Sequence, residues 1–470
     1  MSLRDYSPAR WRRLVTIRER LERFLDRRGY QTVTTPILES TDLFLRKSGG
    51  ELAARMYSFV DPSGRRVSLR PEFTSSVVQG IVDGALKGPM PQRWQYCGPV
   101  FRYEGEAADG SGGGSEFQQL GAELVGAGGA VADAEVIALA AQGLTALGVK
   151  GHRLRIGHIG VVNALLDALG LSERARVFVL GSFEELASGP QGLDAVRARA
   201  LEMGLLPSEG NRRITQLARR MAPEDAEDMV EGFLGQGIDG ITGQRTPEEI
   251  FRRYLKKLRE AGVPEIVERS LRFSQELVAL SGPAGRVLPK LRKLLDRYGL
   301  DAGLLAPVDG LLAALAPYDL KGVPVVLDFG MARGIAYYTG VVFDIEHTRV
   351  KSAPWLGGGG RYDGLVTALG GRRDVPALGF AYAVERIADL LPAGFGADEM
   401  GGQQRVLVVQ QEGSAKEAVA LAERLRAQGI PAELELSGRS DAEVAKLAQA
   451  RGIQTVMRVG QDGKVAEKNV

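Results

Sequence analysis

A single cysteine, Cys97, in 470 residues excludes an internal disulfide, and three histidines, His152, His158 and His347, leave any zinc site to be built mainly from carboxylates. Cys97 reads as a small core residue. Long apolar runs are also missing. The longest, such as Ala132 to Leu147, are broken by Asp133, Glu135 and Gln142, and none approaches the roughly 20 apolar residues of a membrane span. No transmembrane helix and no membrane partner are expected. Sixty basic against 58 acidic side chains give a formal net charge of +2, which is no electrostatic footprint for nucleic acid and neither supports nor excludes an RNA partner. The opening residues Met1 to Asp5 run into a charged amphipathic stretch with no signal-peptide apolar region, so a cytoplasmic location is expected. No internal repeat is found.

What is present is ordinary for a soluble globular chain: 44% hydrophobic and 25% charged residues. The length exceeds what one hydrophobic core usually supports, so two or three domains are expected. Trp11, Leu14, Ile17, Leu21 and Phe24 recur at three- and four-residue steps and predict a helix over Pro8 to Arg28. Gln31 to Leu38 reads as β-rich. Met56 to Phe59 and Arg66 to Leu69 read as a hairpin turned at Asp61-Pro62-Ser63-Gly64, and Glu72 to Leu86 as a helix. Strands are expected at Trp94 to Phe101 and Glu116 to Val125, a helix over Ala130 to Leu147, and a strand over Arg153 to Ile159. Residues from about Gly170 to Tyr318 are mostly helical in pattern, with Pro207, Pro223, Pro264 and Pro283 near helix ends.

Strand character returns at Val323 to Phe329 and Val341 to Ile345. A glycine run, Gly357 to Gly360, precedes a helix and a last strand leading into Val384 to Leu391. Leu391 to Gln404 has linker composition. Beyond it, strand Arg405 to Val409, helix Ser414 to Gln428, strand Ala432 to Leu436, helix Asp441 to Arg451 and strand Thr455 to Val459 form a βαβαβ series, the pattern of a small parallel α/β domain.

Several strings carry chemistry. Gly29-Tyr30 through Thr35-Pro36-Ile37-Leu38-Glu39 is a helix–strand junction with a proline. Leu69-Arg70-Pro71-Glu72-Phe73-Thr74 sets a carboxylate and a hydroxyl together, the acceptors that an ammonium group needs, although Glu72 equally suits a helix cap. Gly98-Pro99-Val100-Phe101-Arg102-Tyr103-Glu104 and Glu116-Phe117-Gln118-Gln119-Leu120-Gly121-Ala122-Glu123 flank a glycine-rich loop. Alternation along a strand puts Gln119, Gly121 and Glu123 on one side. Ala332-Arg333-Gly334-Ile335-Ala336-Tyr337-Tyr338-Thr339-Gly340 offers a guanidinium beside two tyrosines. Gly357-Gly358-Gly359-Gly360-Arg361-Tyr362-Asp363-Gly364-Leu365 permits close backbone approach, and Ala377-Leu378-Gly379-Phe380-Ala381-Tyr382-Ala383-Val384-Glu385-Arg386 ends on a further arginine.

Together these strings resemble the histidyl-tRNA synthetase family, over most of residues 5 to 391 and part of the tail. The resemblance implies an α+β fold, a class II synthetase-like antiparallel sheet flanked by helices, with a helical insertion and a small C-terminal α/β anticodon-binding-like domain. It implies a catalytic core in residues 1–170 (motifs 1 and 2) and 321–391 (histidyl signatures and motif 3), an insertion at 171–320, a linker at 392–404 and a truncated anticodon-binding-like domain at 405–470. Motif 1 would form a homodimer interface. Histidine would be held by Glu72, Thr74, Gln119, Glu123, Arg333, Tyr337 and Tyr338, and ATP by Arg102, Glu104 and Arg386. Arg102 and Arg333 would be catalytic, with Mg²⁺ accompanying ATP in an active enzyme and no other metal.

The departures from the family pattern concern its ATP-handling loop. Residues 105 to 115 contain neither Arg nor Lys, whereas the synthetases carry there an arginine that grips the far phosphates, a contact whose loss removes transition-state stabilisation. Phe73 stands where the family usually has glycine, and crowding of the substrate is expected; Ala336 replaces an acidic residue. The tail stops early, and residues 405 to 470 hold ten basic and nine acidic side chains. These traits favour a histidine-binding, non-charging regulatory subunit of ATP phosphoribosyltransferase, partnered by that enzyme's catalytic subunit in histidine biosynthesis. The alternative is an active histidine–tRNA ligase that forms histidyl-adenylate and charges tRNA(His).

Overall fold

The computed structural model describes residues 7–46, 50–103, 116–206, 264–331, 338–348, 355–392, 394–396 and 405–469. They fall into two compact units, one within Arg18–Leu391 and the other within Pro392–Val470 together with Ser2–Ile17.

The larger unit is built on a sheet of nine strands: β1 (Gln31–Thr32), β5 (Gln92–Phe101), β6 (Glu116–Val125), β7 (His152–His158), β8 (Ser281–Pro283), β9 (Val325–Asp328), β10 (Val341–His347), β11 (Trp355–Arg361) and β12 (Ala377–Ala383). Their order is β1-β5-β6-β12-β11-β10-β7-β9-β8. All pairings are antiparallel except β1 with β5 and β7 with β9. A separate small sheet joins β2 (Leu38–Ser40), β3 (Ser58–Val60) and β4 (Arg66–Leu69) in the order β2-β4-β3. The α+β expectation and its flanked antiparallel sheet are met.

The two faces of the large sheet differ because side chains alternate. One face carries Leu120, Ala122 and Leu124 of β6, Leu378, Phe380 and Tyr382 of β12, Phe343 and Ile345 of β10, and Leu154 and Ile156 of β7, all buried. The helix Ala130–Ala146 packs there, and Tyr382 donates its hydroxyl to the Ala140 carbonyl. That helix is buried nearly all round because Ala306–Leu315 packs on it as well. Gly143 is required where Tyr382 crosses, since a Cβ there would stand 2.5 Å from the tyrosine oxygen.

The opposite face is floored by small residues. In register across β6, β12, β11 and β10 lie Gly121 beside Ala381, Gly358 and Asp344, and Glu123 beside Gly379, Gly360 and Val342. The glycine run Gly357–Gly360 is therefore not a turn: paired on both sides, it forms the interior of β11.

Other expectations shift in detail. The helix expected over Glu72 to Leu86 spans Thr74–Val82. In the helix Pro8–Asp26, Leu14, Ile17, Leu21 and Leu25 are buried while Trp11 is exposed, and the Arg28 guanidinium lies 3.6 Å from the Phe24 ring centre. The stretch 171–320 is mostly helical where described and also supplies β8, the edge strand beside β9. The expected linker, residues 392–404, lies largely outside the described residues.

In the smaller unit, β13 (Val406–Gln410), β14 (Ala432–Leu434) and β15 (Thr455–Val459) are parallel. Alternation along β13 sends Val406 and Val408 to the helix Ala415–Ala427, and Leu407 and Val409 to the helix Asp441–Arg451. A fourth strand, β16 (Val465–Asn469), pairs antiparallel with β15. All five of its residues are exposed, so it shows no apolar alternation in the sequence.

Candidate functional site

The site is centred on Glu123. This residue sits in β6 opposite Trp94 of β5 and Gly379 of β12, and is 1% exposed. Three hydroxyls donate to its carboxylate: Thr74 from the first residue of the helix Thr74–Val82 at 2.7 Å, Tyr96 from β5 at 3.0 Å, and Tyr362 just after β11. Burial pushes the carboxyl up to about 7; the three hydroxyls oppose the shift and the nearby Glu72 adds to it. Gly379 leaves the room, because a Cβ there would overlap the Glu123 carboxylate.

Glu72 precedes the helix and is 5% exposed. Its carboxylate accepts the Ser75 backbone N–H at 3.1–3.2 Å, so in this structure it fills the capping role. Burial raises its pKa, with Ser75 and then the Arg102 charge opposing. Phe73, where crowding is expected, packs against Tyr96 on the same face of β5 and β6 as Glu123. Its ring is buried, stacks on Tyr96 at 4.4 Å and 9°, and carries the Arg70 guanidinium 4.0 Å away on its face. Arg70 itself is spent on the Pro99 and Thr35 carbonyls.

Gln119 lies four residues before Glu123 on the same face of β6 and is 4% exposed. Its side-chain oxygen has no hydrogen-bond partner among the described residues, which in a buried position marks an acceptor awaiting a donor. Tyr338 is half-buried; burial, with Glu123, Asp344 and Glu72 nearby, pushes its phenol well above the ordinary value.

The arginines stand elsewhere. Arg102, just after β5, donates Nε–H to the Pro71 carbonyl at 2.7 Å and lies 5.5 Å from the Phe117 ring centre. Arg386, in the helix Val384–Ala388 that follows β12, donates Nη1–H to the Trp355 carbonyl at 3.1 Å. The same helix is tied to β6 by Glu385, which accepts the Gln118 backbone N–H at 2.9 Å. Arg361 turns away into a buried pair with Asp133 and a bond to Asp363, tying β11 to the helix Ala130–Ala146.

Of the residues expected from the sequence, the structure brings Thr74 and Glu123 into direct contact and sets Glu72, Gln119 and Tyr338 around them. Arg102 and Arg386 lie toward the Gln119 end of the strands. Glu104, Arg333 and Tyr337 lie outside the described residues, as does the loop 105–115. Sequence reasoning missed Tyr96 and gave Tyr362 no role; the alternation Trp94, Tyr96, Gly98 in β5 was the available signal for the first. Among the described residues no group of three or more His, Cys, Asp or Glu is arranged to hold a metal. The histidines bond to backbone: His158 caps the helix Ile159–Ala168 by accepting the Val161 N–H, burial lowering its pKa to about 4, while His152 and His347 meet the Ala141 and Lys150 carbonyls.

Chemically, this face sets a buried carboxylate and an amide toward one side and two guanidiniums beyond Gln119, over strands whose glycines admit the side chains packed on them: Tyr96 on Gly121, Tyr338 on Gly360 and Glu123 on Gly379. Comparison with known proteins gives a consistent picture. The family model described as Histidyl-tRNA synthetase matches residues 2–219 and 240–387. The histidine–tRNA ligase of Methanococcus maripaludis strain C7 is 30% identical over 475 residues, covering 99% of this chain and 94% of that protein. That of Pyrococcus furiosus is 29% identical over 459 residues, covering 97% and 90%. Among solved structures, one from Bacillus halodurans described as an ATP phosphoribosyltransferase regulatory subunit/histidyl-tRNA synthetase superposes with a TM-score of 0.62 at 22% identity, covering 96% and 94%. The apo histidyl-tRNA synthetase of S. aureus superposes with a TM-score of 0.57 at 22% identity, covering 98% and 95%. At these identities the structural likeness concerns the fold.

Proposed function

The chain belongs to the histidyl-tRNA synthetase family, and from that premise we propose that it binds histidine around Glu123 as a regulatory subunit and does not charge tRNA. The observation that carries histidine binding is the buried Glu123 carboxylate, oriented by three hydroxyls beside the unpartnered Gln119 oxygen. Histidine brings N–H donors on its ammonium group and imidazole, which these acceptors fit. Thr74, Glu72 and Tyr338 complete the described part of the pocket, and Arg333 and Tyr337 belong to it in this reading.

The non-charging part rests on the 105–115 loop, which offers no cationic side chain to the far phosphates of ATP. Histidine occupancy then acts on a partner, the catalytic subunit of an ATP phosphoribosyltransferase, through a coupling free energy between two sites. A second reading, the histidine–tRNA ligase, is favoured by two specific observations. The curated relatives named above are ligases matched over nearly their whole length, and the chain has a C-terminal α/β unit with a four-stranded sheet. In that reading ATP and Mg²⁺ enter with histidine, and Arg102, Arg386 and Glu104 hold the nucleotide.

Histidine-dependent ATP–pyrophosphate exchange, run beside calorimetric titration of histidine, separates the two. The expected result is saturable histidine binding with no exchange above background. Exchange gives the ligase, and absence of both signals removes both readings.

We also propose that the small sheet β2-β4-β3 forms a homodimer surface, as the resemblance to motif 1 suggests. Ile37, Leu38, Phe59 and Val60 on and beside it are exposed, an apolar group of the kind that marks an interface. Phe59→Asp is expected to convert a dimer to a monomer at micromolar concentration in analytical ultracentrifugation. An unchanged mass would place the interface elsewhere.

A further inference from the structure

Two of the three hydroxyls that hold Glu123 trace back to one helix start. Thr74 opens the helix Thr74–Val82 and donates to Glu123 directly. Phe73, the residue before it, reaches the same carboxylate by a second route, through the ring of Tyr96. The two rings stack at 4.4 Å between centres and 9° between planes, and the Tyr96 hydroxyl donates to Glu123 Oε1 at 3.0 Å. A stacked pair fixes the tilt of a ring as well as its position.

Phe73 is held in turn. The Arg70 guanidinium lies 4.0 Å from its ring centre and is itself committed to the Pro99 carbonyl at 2.8 Å and the Thr35 carbonyl at 2.6 Å. All three side chains are buried. Two glycines make room for the row. A Cβ on Gly98 would stand 2.6 Å from the Arg70 guanidinium and 3.1 Å from the Phe73 ring, and one on Gly121 would stand 2.5 Å from the Tyr96 hydroxyl oxygen. Tyr96 lies opposite Gly121 in the β5–β6 ladder, and Glu123 is two residues farther along the same face. Gly121 offers no side chain to set the tilt of the ring above it. Val77, Trp94 and Val100 share this cluster, but it is the Phe73 ring that lies flat on Tyr96.

We propose that Phe73 is a positioning residue for histidine binding: its ring, held by Arg70, fixes the tilt of Tyr96 and so aims the Tyr96 hydroxyl at the Glu123 carboxylate. The proposal rests on the histidine reading for its ligand, whereas the contacts it describes exist without one. Phe73 acts on Glu123 only through Tyr96. A hydroxyl donated to a carboxylate favours the charged form, so loosening Tyr96 makes Glu123 harder to ionise. The other groups facing Glu123 are Thr74 and Tyr362, which donate to it, the Glu72 carboxylate, which opposes its ionisation, and the Tyr338 phenol.

The test is calorimetric titration of the full chain with histidine between pH 5 and pH 9, for wild type, Phe73→Leu, Phe73→Met, Tyr96→Phe and the double variant Phe73→Leu/Tyr96→Phe. Leucine and methionine keep apolar volume and lose the flat face, and phenylalanine at position 96 keeps the stack and loses the hydroxyl. At pH 8 both Phe73 variants are expected to bind histidine about two- to tenfold more weakly, the worth of a stacked pair. The midpoint of the affinity rise, about 7 in wild type, is expected to move up by about half a pH unit. Titration of histidine itself is common to all variants. Tyr96→Phe is expected to shift the midpoint at least as far, and the double variant no farther than Tyr96→Phe, since both changes remove the same bond. Urea unfolding without ligand is read beside it. Its decline with rising pH is expected to run to higher pH in Phe73→Leu, because the native state keeps its extra proton longer, and that difference is expected to vanish when Glu123→Gln is added.

Weaker binding with an unmoved midpoint overturns the proposal, because that is what a merely structural role gives. So do wild-type affinity in both Phe73 variants, shifts that add in the double variant, and loss of the fold in both Phe73 variants, which would make the ring a requirement for folding. Wild type that binds no histidine, with a ligand-free profile that still moves in Phe73→Leu, sinks the histidine reading and leaves the positioning of Glu123 by Phe73 standing; an unmoved profile then sinks both.

Discussion

Glu123→Gln lowers histidine affinity at pH 8 by at least about a hundredfold, equivalent to about 2.7 kcal/mol, while leaving the fold intact. The amide is close to the carboxylate in size; its oxygen keeps the Thr74 and Tyr96 bonds made to Oε1, while its NH2, standing where Oε2 was, donates to a turned Tyr362 hydroxyl, so the hydroxyl cage has no reason to collapse. What is lost is the negative charge in a buried site, where a charge-assisted bond is roughly twice as strong as a neutral one. Isothermal titration at several pH values checks the claim. Because burial holds the Glu123 carboxyl near 7, wild-type affinity for the histidine ammonium is expected to rise as pH passes through that value, and the glutamine variant is expected to lose this rise. Binding by Glu123→Gln within threefold of wild type would refute the assignment.

The same shift has a consequence for stability whose sign is opposite to that of a salt-bridged acid. In the folded chain Glu123 keeps its proton to about pH 7, whereas the unfolded chain releases it near the ordinary value of 4.5. Between these values the native state binds more protons than the unfolded one, so stability falls as pH rises. The full span is on the order of 3 kcal/mol at 1.36 kcal/mol per pKa unit. Denaturant unfolding of the ligand-free protein at pH 5 and pH 8 is expected to show this decline, and Glu123→Gln to flatten it.

Gly379→Ala is expected to destabilise the larger unit by about 3 kcal/mol, the upper part of the range for overpacking a tight interior, and to abolish histidine binding. Gly379 pairs with Glu123 on one side and Gly360 on the other. An added Cβ would overlap the Glu123 carboxylate and stand 2.7 Å from the Ala122 carbonyl, so either the carboxylate leaves its three hydroxyls or the strands separate. The carbonyl is backbone, and the carboxylate can swing aside only by giving up its hydroxyl bonds. Gly285→Ala is the control: its helix Ala284–Arg297 offers open space at that position, and a gain of about 0.5–1 kcal/mol is expected from helix propensity. Urea denaturation of both variants compares them directly. A Gly379→Ala protein as stable as wild type would show that Glu123 and the Ala122 carbonyl give way to a Cβ at no cost.

Much of this site was legible in the sequence because it lies in short strings. Thr74 and Glu72 are two residues apart at a helix start, and Gln119, Gly121 and Glu123 alternate along one strand, so their shared face follows from backbone geometry. The partners of Glu123 were not legible in the same way. Tyr96 and Tyr362 lie 27 and 239 residues from it in the chain, and only strand register brings their hydroxyls to one carboxylate. The Phe73 ring illustrates a related limit: its stack on Tyr96 and under the Arg70 guanidinium is set by tertiary packing and is not carried by its residue type.

The sequence by itself determined the elements with strong local signals, the periodic helix Pro8–Asp26, the long alanine-rich helix Ala130–Ala146 and the alternating C-terminal module, together with the family strings, because those signals are carried by residues close in the chain. Tertiary structure alone decided that Gly357–Gly360 is a strand, that β16 exists, and that Trp355 meets Asp344 and Arg386. Glycine and exposed polar residues carry little intrinsic strand preference, so hydrogen-bonded neighbours must supply it. The site's charge pattern likewise arises from pairing: β6, β12, β11 and β10 must lie in register before a carboxylate end and a guanidinium end exist at all.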